Sequence, residues 1–450
     1  MTETDDATTT VPTADQAPLE WRTFAPILAV QFIGTLGYSI AIPFLVFLIT
    51  DLGGAAWTYG VVGAMYSACQ LVGAPILGRW SDRVGRRPVL VVSQAGTMFA
   101  WLLFLLALQL PMTTLGSFAG ATLTLPLVVV TLARACDGLT GGNVSVANAY
   151  VADLTRDKPK ARQVSFGRMG MAASLGFMLG PAIAGLLGAM DWGYVAPVLA
   201  AAGVSGVATV LCLLLPDPGG ECDGEKPKQP TVTKIMGQQH KPCHTEPTPT
   251  GSAFRDPLVV ALLTATFVLF LGFNLFFAGF PVHANEALGW DAGQMGAFFT
   301  VMAGVMIVAQ GPGLRIATAY LPRRAVFGLG MVSLITAFVL YTLNVEWLLY
   351  GGAAFYAIGN GIAWPTFQAR VAEAAPPEDM GAVQGAATSA GSLASILGLL
   401  VGGILYPYFG ANLFLGAAGL FTIVLFGTPI WFRAAPTRPA PEADADPNNS

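Results

Sequence analysis

The chain has 450 residues, of which 54% are hydrophobic and only 11% are charged, with a formal net charge of −4. So little charge cannot cover a soluble protein of this length, and the mean hydropathy is +0.62. The composition predicts an integral multi-pass membrane protein and excludes a soluble globular one. Since no basic stripe or nucleic-acid motif is present, we expect no nucleic-acid partner.

The chain opens with "MTETDDATTTVPTADQAPLE", an acidic and polar stretch. It lacks the basic start and short apolar run of a secretory signal. We therefore predict that residues 1–23 form a disordered cytoplasmic tail, and that residues 434–450 form a second cytoplasmic tail.

Twelve apolar runs follow, each about 20 residues long, the length that spans the hydrocarbon core. Lipid offers no partner to an open strand, so each run is predicted to be a helix. The predicted fold is an all-α membrane protein with twelve transmembrane helices. The runs are 24–48, 58–78, 88–110, 122–150, 165–189, 195–215, 256–282, 293–313, 325–344, 347–371, 382–405 and 411–433.

Residues 216–255 interrupt the apolar pattern and are rich in Pro, Gly, Thr and Lys. They predict a flexible cytoplasmic linker between two six-helix bundles, 24–215 and 256–433. The linker contains Cys222, His240, Cys243 and His244. A small metal site there is an alternative, but the spacing matches no standard zinc pattern, so we expect no metal and no cofactor.

Basic residues lie on alternate loops. The loops after odd-numbered runs contain no Lys or Arg, whereas the loops after even-numbered runs contain most of them. This bias predicts that the even loops and both termini are cytoplasmic, in a plasma or inner membrane. The basic residues of these even-numbered loops are Arg79, Arg83, Arg86, Arg87, Arg156, Lys158, Lys160, Arg162, Arg315, Arg323 and Arg324.

The two halves resemble each other. "GPAIAGLL" (180–187) in the fifth run is similar to "GLLVGGIL" (398–405) in the eleventh, and "GRWSDRVGRR" after the second run has a degraded counterpart, "GPGLRIATAYLPRR", after the eighth. Two pseudo-symmetric halves around a central cavity are typical of transporters.

The stretch "GRWSDRVGRR" (78–87) concentrates charge in an apolar chain. Its arginines alone could be a topology anchor. That alternative does not explain Asp82 between Gly78 and Gly85, because glycines permit close helix approach or a sharp turn, and an aspartate can cap a helix or pair with Arg.

These residues resemble the signature loop Gly-x-x-x-Asp-Arg-x-Gly-Arg-Arg/Lys between helices 2 and 3 of the major facilitator superfamily. The resemblance covers nearly the whole chain and implies a transporter, which we expect to function as a monomer. It further implies a latch of the outward-facing state, with Gly78 against helix 11 and Asp82 at the N-terminal end of that helix. The implied gating residues are Gly78, Asp82, Arg83, Gly85, Arg86, Arg87 and Asp153.

Arg134 and Asp137 lie within the fourth apolar run, where charges are costly. At a spacing of three they share a helix face and can pair. They could be a structural pair, or a proton or substrate site. Since the stretch resembles the helix 4 pattern of the family, in which the Arg is linked to proton coupling, we favour proton coupling; Asp137 stands where the family often has Gln.

The fifth run contains "SLGFMLGPAIAGLLG" (174–188). Its small residues could simply serve helix packing. The pattern also resembles the antiporter motif of drug/proton exchangers, which implies export. The motif residues are Gly176, Gly180, Pro181 and Gly185.

Polar and aromatic side chains within the runs are candidates for a substrate cavity, although each could equally serve helix packing. An aromatic and amide lining suits a large amphipathic solute. The candidates are Asn143, Arg168, Asn274, Tyr356, Asn360, Trp364 and Gln368.

Two segments, 364–398 and "NAYVADLT" in the fourth run, resemble tetracycline-resistance efflux proteins. Those proteins carry an acid in helix 1 near the position of Gly34, and the first run here has none. We predict a proton-coupled antiporter that exports drug-like small molecules across the bilayer by alternating access. Uptake of a nutrient or metabolite is the alternative; no nucleophile–base set supports an enzyme, and nothing favours a non-transporting receptor.

Overall fold

A computed structural model describes residues 21–141, 143–155, 159–188, 190, 192–215, 252–376 and 379–432. Residues 1–20 of the predicted N-terminal tail, the predicted tail 434–450 and nearly all of the predicted linker fall outside the described residues, as do the two cysteines and two histidines of the linker, whereas residues 21–23 belong to the first helix rather than to a tail.

The structure is mainly helical. The N-terminal half contains α1 (Trp21–Asp51), α2 (Ala56–Val84), α3 (Arg86–Gln109), α4 (Leu125–Thr140), α5 (Asn143–Leu154), α6 (Pro159–Gly188) and α7 (Val195–Leu214). The C-terminal half contains α8 (Pro257–Glu286), α9 (Ala292–Val308), α10 (Leu314–Tyr320), α11 (Arg323–Leu340), α12 (Glu346–Ala374), α13 (Met380–Phe409) and α14 (Leu413–Trp431). Short 3₁₀ turns lie at Ser252–Arg255, Tyr341–Leu343 and Gly410–Asn412, and a π-helical turn, Ala309–Gly313, joins α9 to α10.

Ten stretches of the described chain are long and apolar enough to cross a membrane. One of them, Ala382–Trp431, contains both α13 and α14. Helix α12, with 29 residues, is also long enough, although it is not among the ten. With α12 included and the long stretch divided, the helices are consistent with the twelve predicted spans.

The connection between α3 and α4 differs from the prediction of a turn near Pro111 and a helix from residue 122. It is an antiparallel hairpin of β1 (Thr114–Phe118) and β2 (Ala121–Thr124). Ala119 and Gly120 both have positive φ, 46° and 80°, as a tight two-residue hairpin turn requires. The threonines at 114, 122 and 124 favour a strand over continued helix.

The two halves meet mainly through four helices, α2 against α13 and α6 against α9. Glycines make these contacts at the end of the bundle opposite the basic residues. A Cβ added at Gly60 would lie 2.5 Å from the carbonyl oxygen of Leu399, and one at Gly185 would overlap the backbone of Gly296. Because only glycine fits there, helices of opposite halves touch backbone to backbone.

Toward the basic end, the glycines of the same helices and of the π-helical turn are not in contact. A Cβ on any of these glycines would meet no atom within 4 Å. The protein is therefore in a conformation that is closed at the end opposite the basic residues. The uncontacted glycines are Gly78, Gly167, Gly170, Gly304, Gly311 and Gly385.

We expect Gly185→Ala to force this closed end apart, because its Cβ would overlap the backbone of α9. Spin labels on the facing ends of α6 and α9 should then report longer distances than in the wild type. Gly167→Ala is the matched control, since it lies on the same helix and meets nothing within 4 Å. Equal distance distributions in both variants would contradict the contact.

Candidate functional site

An ion pair is buried in the middle of the N-terminal half. Arg134 Nη1 lies 3.1 Å from Asp137 Oδ2, and the two side chains are only 4% and 6% exposed. Both belong to α4, within the candidate membrane span Leu125–Leu154. The spacing of three places them on one helix face, as the sequence predicts.

Two tyrosines enclose the guanidinium. Its central carbon lies 4.7 Å from the ring centroid of Tyr66 on α2 and 5.5 Å from that of Tyr38 on α1. Gln70 orients Tyr66 by donating to its hydroxyl at 3.1 Å, and also donates to the carbonyl of Gly141 at 2.9 Å. Cation–π contacts of this kind are worth about 2 kcal/mol or more when desolvated. The rings therefore hold Arg134 in place whether or not the carboxylate is charged.

The side chains around the guanidinium, Tyr38, Tyr66 and Gln70, are not among the site residues predicted from the sequence. The available signal is weak: three hydrogen-bonding side chains in helices that are otherwise apolar. The contacts bring together helices distant in sequence, so spacing within one helix could not reveal them.

The Arg134–Asp137 pair can change its net charge without a change in the backbone of α4. With both groups ionised, the net charge at the site is zero. When Asp137 takes up a proton, the net charge becomes +1 and the guanidinium keeps its aromatic partners. A site whose charge changes by one on protonation can bias one conformation over another.

An aromatic path connects this site to the other half. The rings of Tyr38 and Phe177 lie 6.3 Å apart, and Phe177 meets Phe277 of α8 edge-on at 5.4 Å. The hydroxyl of Tyr59 on α2 also donates to the carbonyl of Phe277 at 2.8 Å. Two contacts, Arg134–Tyr38 and Tyr38–Phe177, thus connect the charge pair to the interface between the halves.

The predicted gating loop is largely helical, which corrects the expectation of a loop over 78–87. Helix α2 continues to Val84 and α3 starts at Arg86, so Gly78, Asp82 and Arg83 lie in α2. Gly85 alone separates the helices, with φ of 98°, a conformation that favours glycine. Continuing the helix satisfies more backbone groups than a loop would.

Arg86 connects this turn to the end of α5. Its Nε donates to Asp153 Oδ2 at 2.8 Å, and its Nη1 donates to the hydroxyl of Ser81 at 2.8 Å. Arg87 donates to the carbonyl of Leu213 in the last turn of α7, and Arg83 is exposed. The structure therefore brings Arg86 and Asp153 together, as the resemblance implies, while the side chain of Asp82 is not among those described.

The implied contact between Gly78 and α13 is not made in this conformation, since a Cβ at Gly78 would meet nothing within 4 Å. A latch of the opposite conformation is expected to be disengaged when the bundle is closed at the other end. The latch role of Gly78 stays a prediction.

The C-terminal half has a counterpart of the Arg86–Asp153 pair. Arg323, the first residue of α11, pairs with Glu373 near the end of α12. Arg370 lies 3.8 Å from Glu373 and donates from Nε to the carbonyl of Trp431 at 2.8 Å. The repeat seen in the sequence thus extends to an ion pair at equivalent helix ends, and Glu373 is a residue the prediction lacks.

The predicted antiporter motif lies along α6 and meets two neighbouring helices. Cβ atoms at Gly176 and Gly180 would overlap α1, at the carbonyl of Phe32 and at Ser39 respectively, while Gly185 contacts α9. Pro181 is buried between them. The motif therefore places α6 against its own half and against the opposite half at once.

Four cavity candidates form one stripe on α12 at intervals of four residues. Tyr356 is only 2% exposed, packed against the ring of Phe276 at 5.0 Å. Asn360, Trp364 and Gln368 are half-buried and lie progressively nearer the basic end. Of the four candidates on this helix, only these last three are partly accessible in the present conformation.

The other candidates are engaged in helix packing or cannot be placed. Asn274 donates to the carbonyl of Phe270 at 2.8 Å and to the hydroxyl of Ser395 at 3.0 Å, which holds α8 against α13. The guanidinium of Arg168 lies 5.9 Å from the ring centroid of Phe24 on α1. The side chain of Asn143 is not among those described. In the described part of the chain, no cluster of three His, Cys, Asp or Glu residues could hold a metal ion.

Two helical bundles that close on each other at one end, with a charge pair buried in one of them, define a secondary membrane transporter. The family model of the Major Facilitator Superfamily matches residues 27–318 and 262–449. The chain belongs to this superfamily, as its motifs predict, and is an integral membrane protein.

Comparison with known proteins gives relatives along most of the chain. The class E tetracycline resistance protein of Escherichia coli is 26% identical over 86% of this chain and 88% of its own length. The class C protein of Escherichia coli is 28% identical over 83% and 87%. The crystal structure of the human organic anion transporter MFSD10 superimposes with a TM-score of 0.65 at 21% identity, over 92% of this chain and all of that one, and shares its fold.

The disengaged position of Gly78 can be tested by a bulky substitution. We expect Gly78→Leu to leave the thermal stability of the purified protein unchanged, because nothing lies within 4 Å here, yet to impair transport, because the opposite conformation needs close approach of α13. Gly203→Leu on α7, which also meets nothing within 4 Å and lies on a helix that packs against α1, α3 and α6 of its own half, is the control and should transport normally. Normal transport by Gly78→Leu would exclude a latch at this residue.

Proposed function

We propose that this protein is a proton-coupled antiporter that exports drug-like or amphipathic small molecules by alternating access. The observation that carries the proposal is the buried Arg134–Asp137 pair, a site that can take up a proton in a helix that crosses the membrane. The tetracycline resistance proteins among its relatives support a drug-like cargo. It acts as a transporter and not as an enzyme.

The direction of the protein in the membrane follows from its charge. The alternating basic loops support a cytoplasmic position for the basic end of the bundle and for both termini, with the protein in a plasma or inner membrane. On this assignment the conformation described above is inward-facing. The pairing of helices across the halves within one chain supports a functional monomer.

In the proposed cycle, Asp137 takes up a proton from the outside and gives it up to the cytoplasm. Protonation leaves Arg134 unpaired but still enclosed by Tyr38 and Tyr66. The resulting +1 charge changes the relative free energy of the inward- and outward-facing states. Loss of the proton in the inward-facing state restores the ion pair, so that the site is neutral when substrate enters.

Different contacts hold the two ends of the bundle in the inward- and outward-facing states. The inward-facing state is held by glycine contacts between α6 and α9 and between α2 and α13. The outward-facing state requires the cytoplasmic ends of α2 and α13 to approach, which would bring Gly78 and its neighbours into use. The Arg86–Asp153 pair orients this end of α2 by also engaging Ser81.

The cargo site is proposed to lie along the accessible part of α12. Trp364 meets Phe270 edge-on at 5.3 Å, and the amides of Asn360 and Gln368 lie one turn away on either side. A flat aromatic face between two amides suits a ring system that carries polar substituents. The small-residue motif on α6 supports export over the alternative of uptake.

We expect Asp137→Asn to abolish substrate-driven proton movement in proteoliposomes, because an amide does not take up or release a proton in the pH range of the assay. The assay follows internal pH against a panel of cationic, zwitterionic and anionic compounds. Asp256→Asn is the matched control, an exposed helix cap at which Asn serves equally well. Full proton movement by Asp137→Asn would make the coupling assignment wrong.

The same vesicles test direction. An imposed proton gradient should drive the compound toward the side from which protons leave. Accumulation on the side that receives the protons would instead establish uptake.

A further inference from the structure

Helix α3 has two contrasting faces. Val92, Phe99 and Leu102 are exposed by 43%, 55% and 47%, as expected of a surface against lipid. The face opposite is buried and polar: Gln94 is fully buried, and Thr97 and Trp101 follow at spacings of three and four. Polar groups within a membrane helix are costly, so their position calls for a functional explanation.

The buried polar face of α3 lies against α4 beside Asp137. Ser93 donates to the carbonyl of Thr140, which fixes the register of the two helices. The side chain of Thr97 is a hydrogen-bonding neighbour of Asp137. Further along, Trp101 lines a narrow gap together with Arg134 and Asp137.

Several polar atoms of this face of α3 and of Arg134 have no partner elsewhere in the described protein. They are Oε1 and Nε2 of Gln94, Nε1 of Trp101 and Nε of Arg134, all buried. Each unmatched buried polar atom costs free energy, and apolar side chains of similar size would avoid that cost. A second arrangement, in which these side chains pair with the carboxyl group of Asp137, would explain why they are polar.

The remaining neighbours of the carboxyl group differ in kind. Arg134 on its own helix carries a charge, and Tyr38 of α1 and Tyr66 of α2 are titratable groups close to it. The α3 side offers only neutral groups: an indole N–H that donates, and an amide that both donates and accepts. Both the indole and the amide can donate to the ionised carboxylate, so each donor favours the ionised form over the protonated one.

We propose that Gln94 and Trp101 form, with Thr97, a second hydrogen-bonding position for the Asp137 carboxyl group, which it occupies when it moves away from Arg134 during the cycle. This inference rests on the proposed proton coupling. Gln94 and Trp101 act as positioning residues, on the side of α4 that faces α3. Since α3 packs on α4, α5 and α7 of its own half, the carboxyl group would exchange partners without entering the contacts between the halves.

The test is the pH dependence of substrate-driven proton movement in Trp101→Phe and Gln94→Leu. Loss of a donor destabilises the ionised carboxylate relative to the protonated form. The pH of half-maximal activity should therefore rise by about 0.5 to 1 unit, with substrate affinity unchanged. Controls are Trp290→Phe, a buried tryptophan of the other half, and Gln310→Leu, another glutamine with an unpartnered buried oxygen.

An ordinary packing role predicts otherwise. In that case Gln94→Leu would raise the thermal midpoint, as Gln310→Leu should, and leave the pH profile at its wild-type position. That result would overturn the second position.

Failure of the proposed function can be recognised separately. If the wild type moved no protons with any compound, infrared difference spectra on a pH step would still record the carboxyl stretch assigned by its loss in Asp137→Asn. A changed frequency of that band in Trp101→Phe supports the second position, and an unchanged band excludes it.

Discussion

A carboxylate and a guanidinium lie together in the apolar interior of the N-terminal half, and much of the surrounding structure offsets the cost of placing them there. The desolvation of each ion costs several kcal/mol, and breaking such a pair typically costs about 3–5 kcal/mol. Tyr38 and Tyr66 stack on the guanidinium, and Gln70 fixes Tyr66. Three helices, α1, α2 and α4, thus hold their relative positions around one ion pair.

The closure of the bundle depends on a different constraint, the absence of side chains. Gly60 and Gly185 allow backbones of opposite halves to touch, and their equivalents near the basic end contact nothing in this conformation. Alternating access needs contacts that form fully at one end and separate fully at the other. Glycine contacts meet this need because they involve no interlocking side chains that would have to be withdrawn.

Local features were predictable from the sequence. Run length predicts the spans, a spacing of three predicts the Arg134–Asp137 pair, and the repeat predicts the equivalent basic turns. Features that depend on packing between distant segments were not: Tyr66 beside Arg134, Glu373 beside Arg323 and the polar face of α3 each require the relative rotation of helices. The hairpin at 114–124 was missed because β1 lies in the connection between two apolar runs, and β2 overlaps the start of the fourth run, whose apolar residues also suit a helix.

The two equivalent ion pairs at the basic end join helices only within their own halves. Arg86–Asp153 fastens α3 to α5, and Arg323–Glu373 fastens α11 to α12. Each pair thereby stiffens its own half near the basic end, where the largest displacement is required. Because neither pair joins the two halves, both can stay intact while the halves separate or approach at this end.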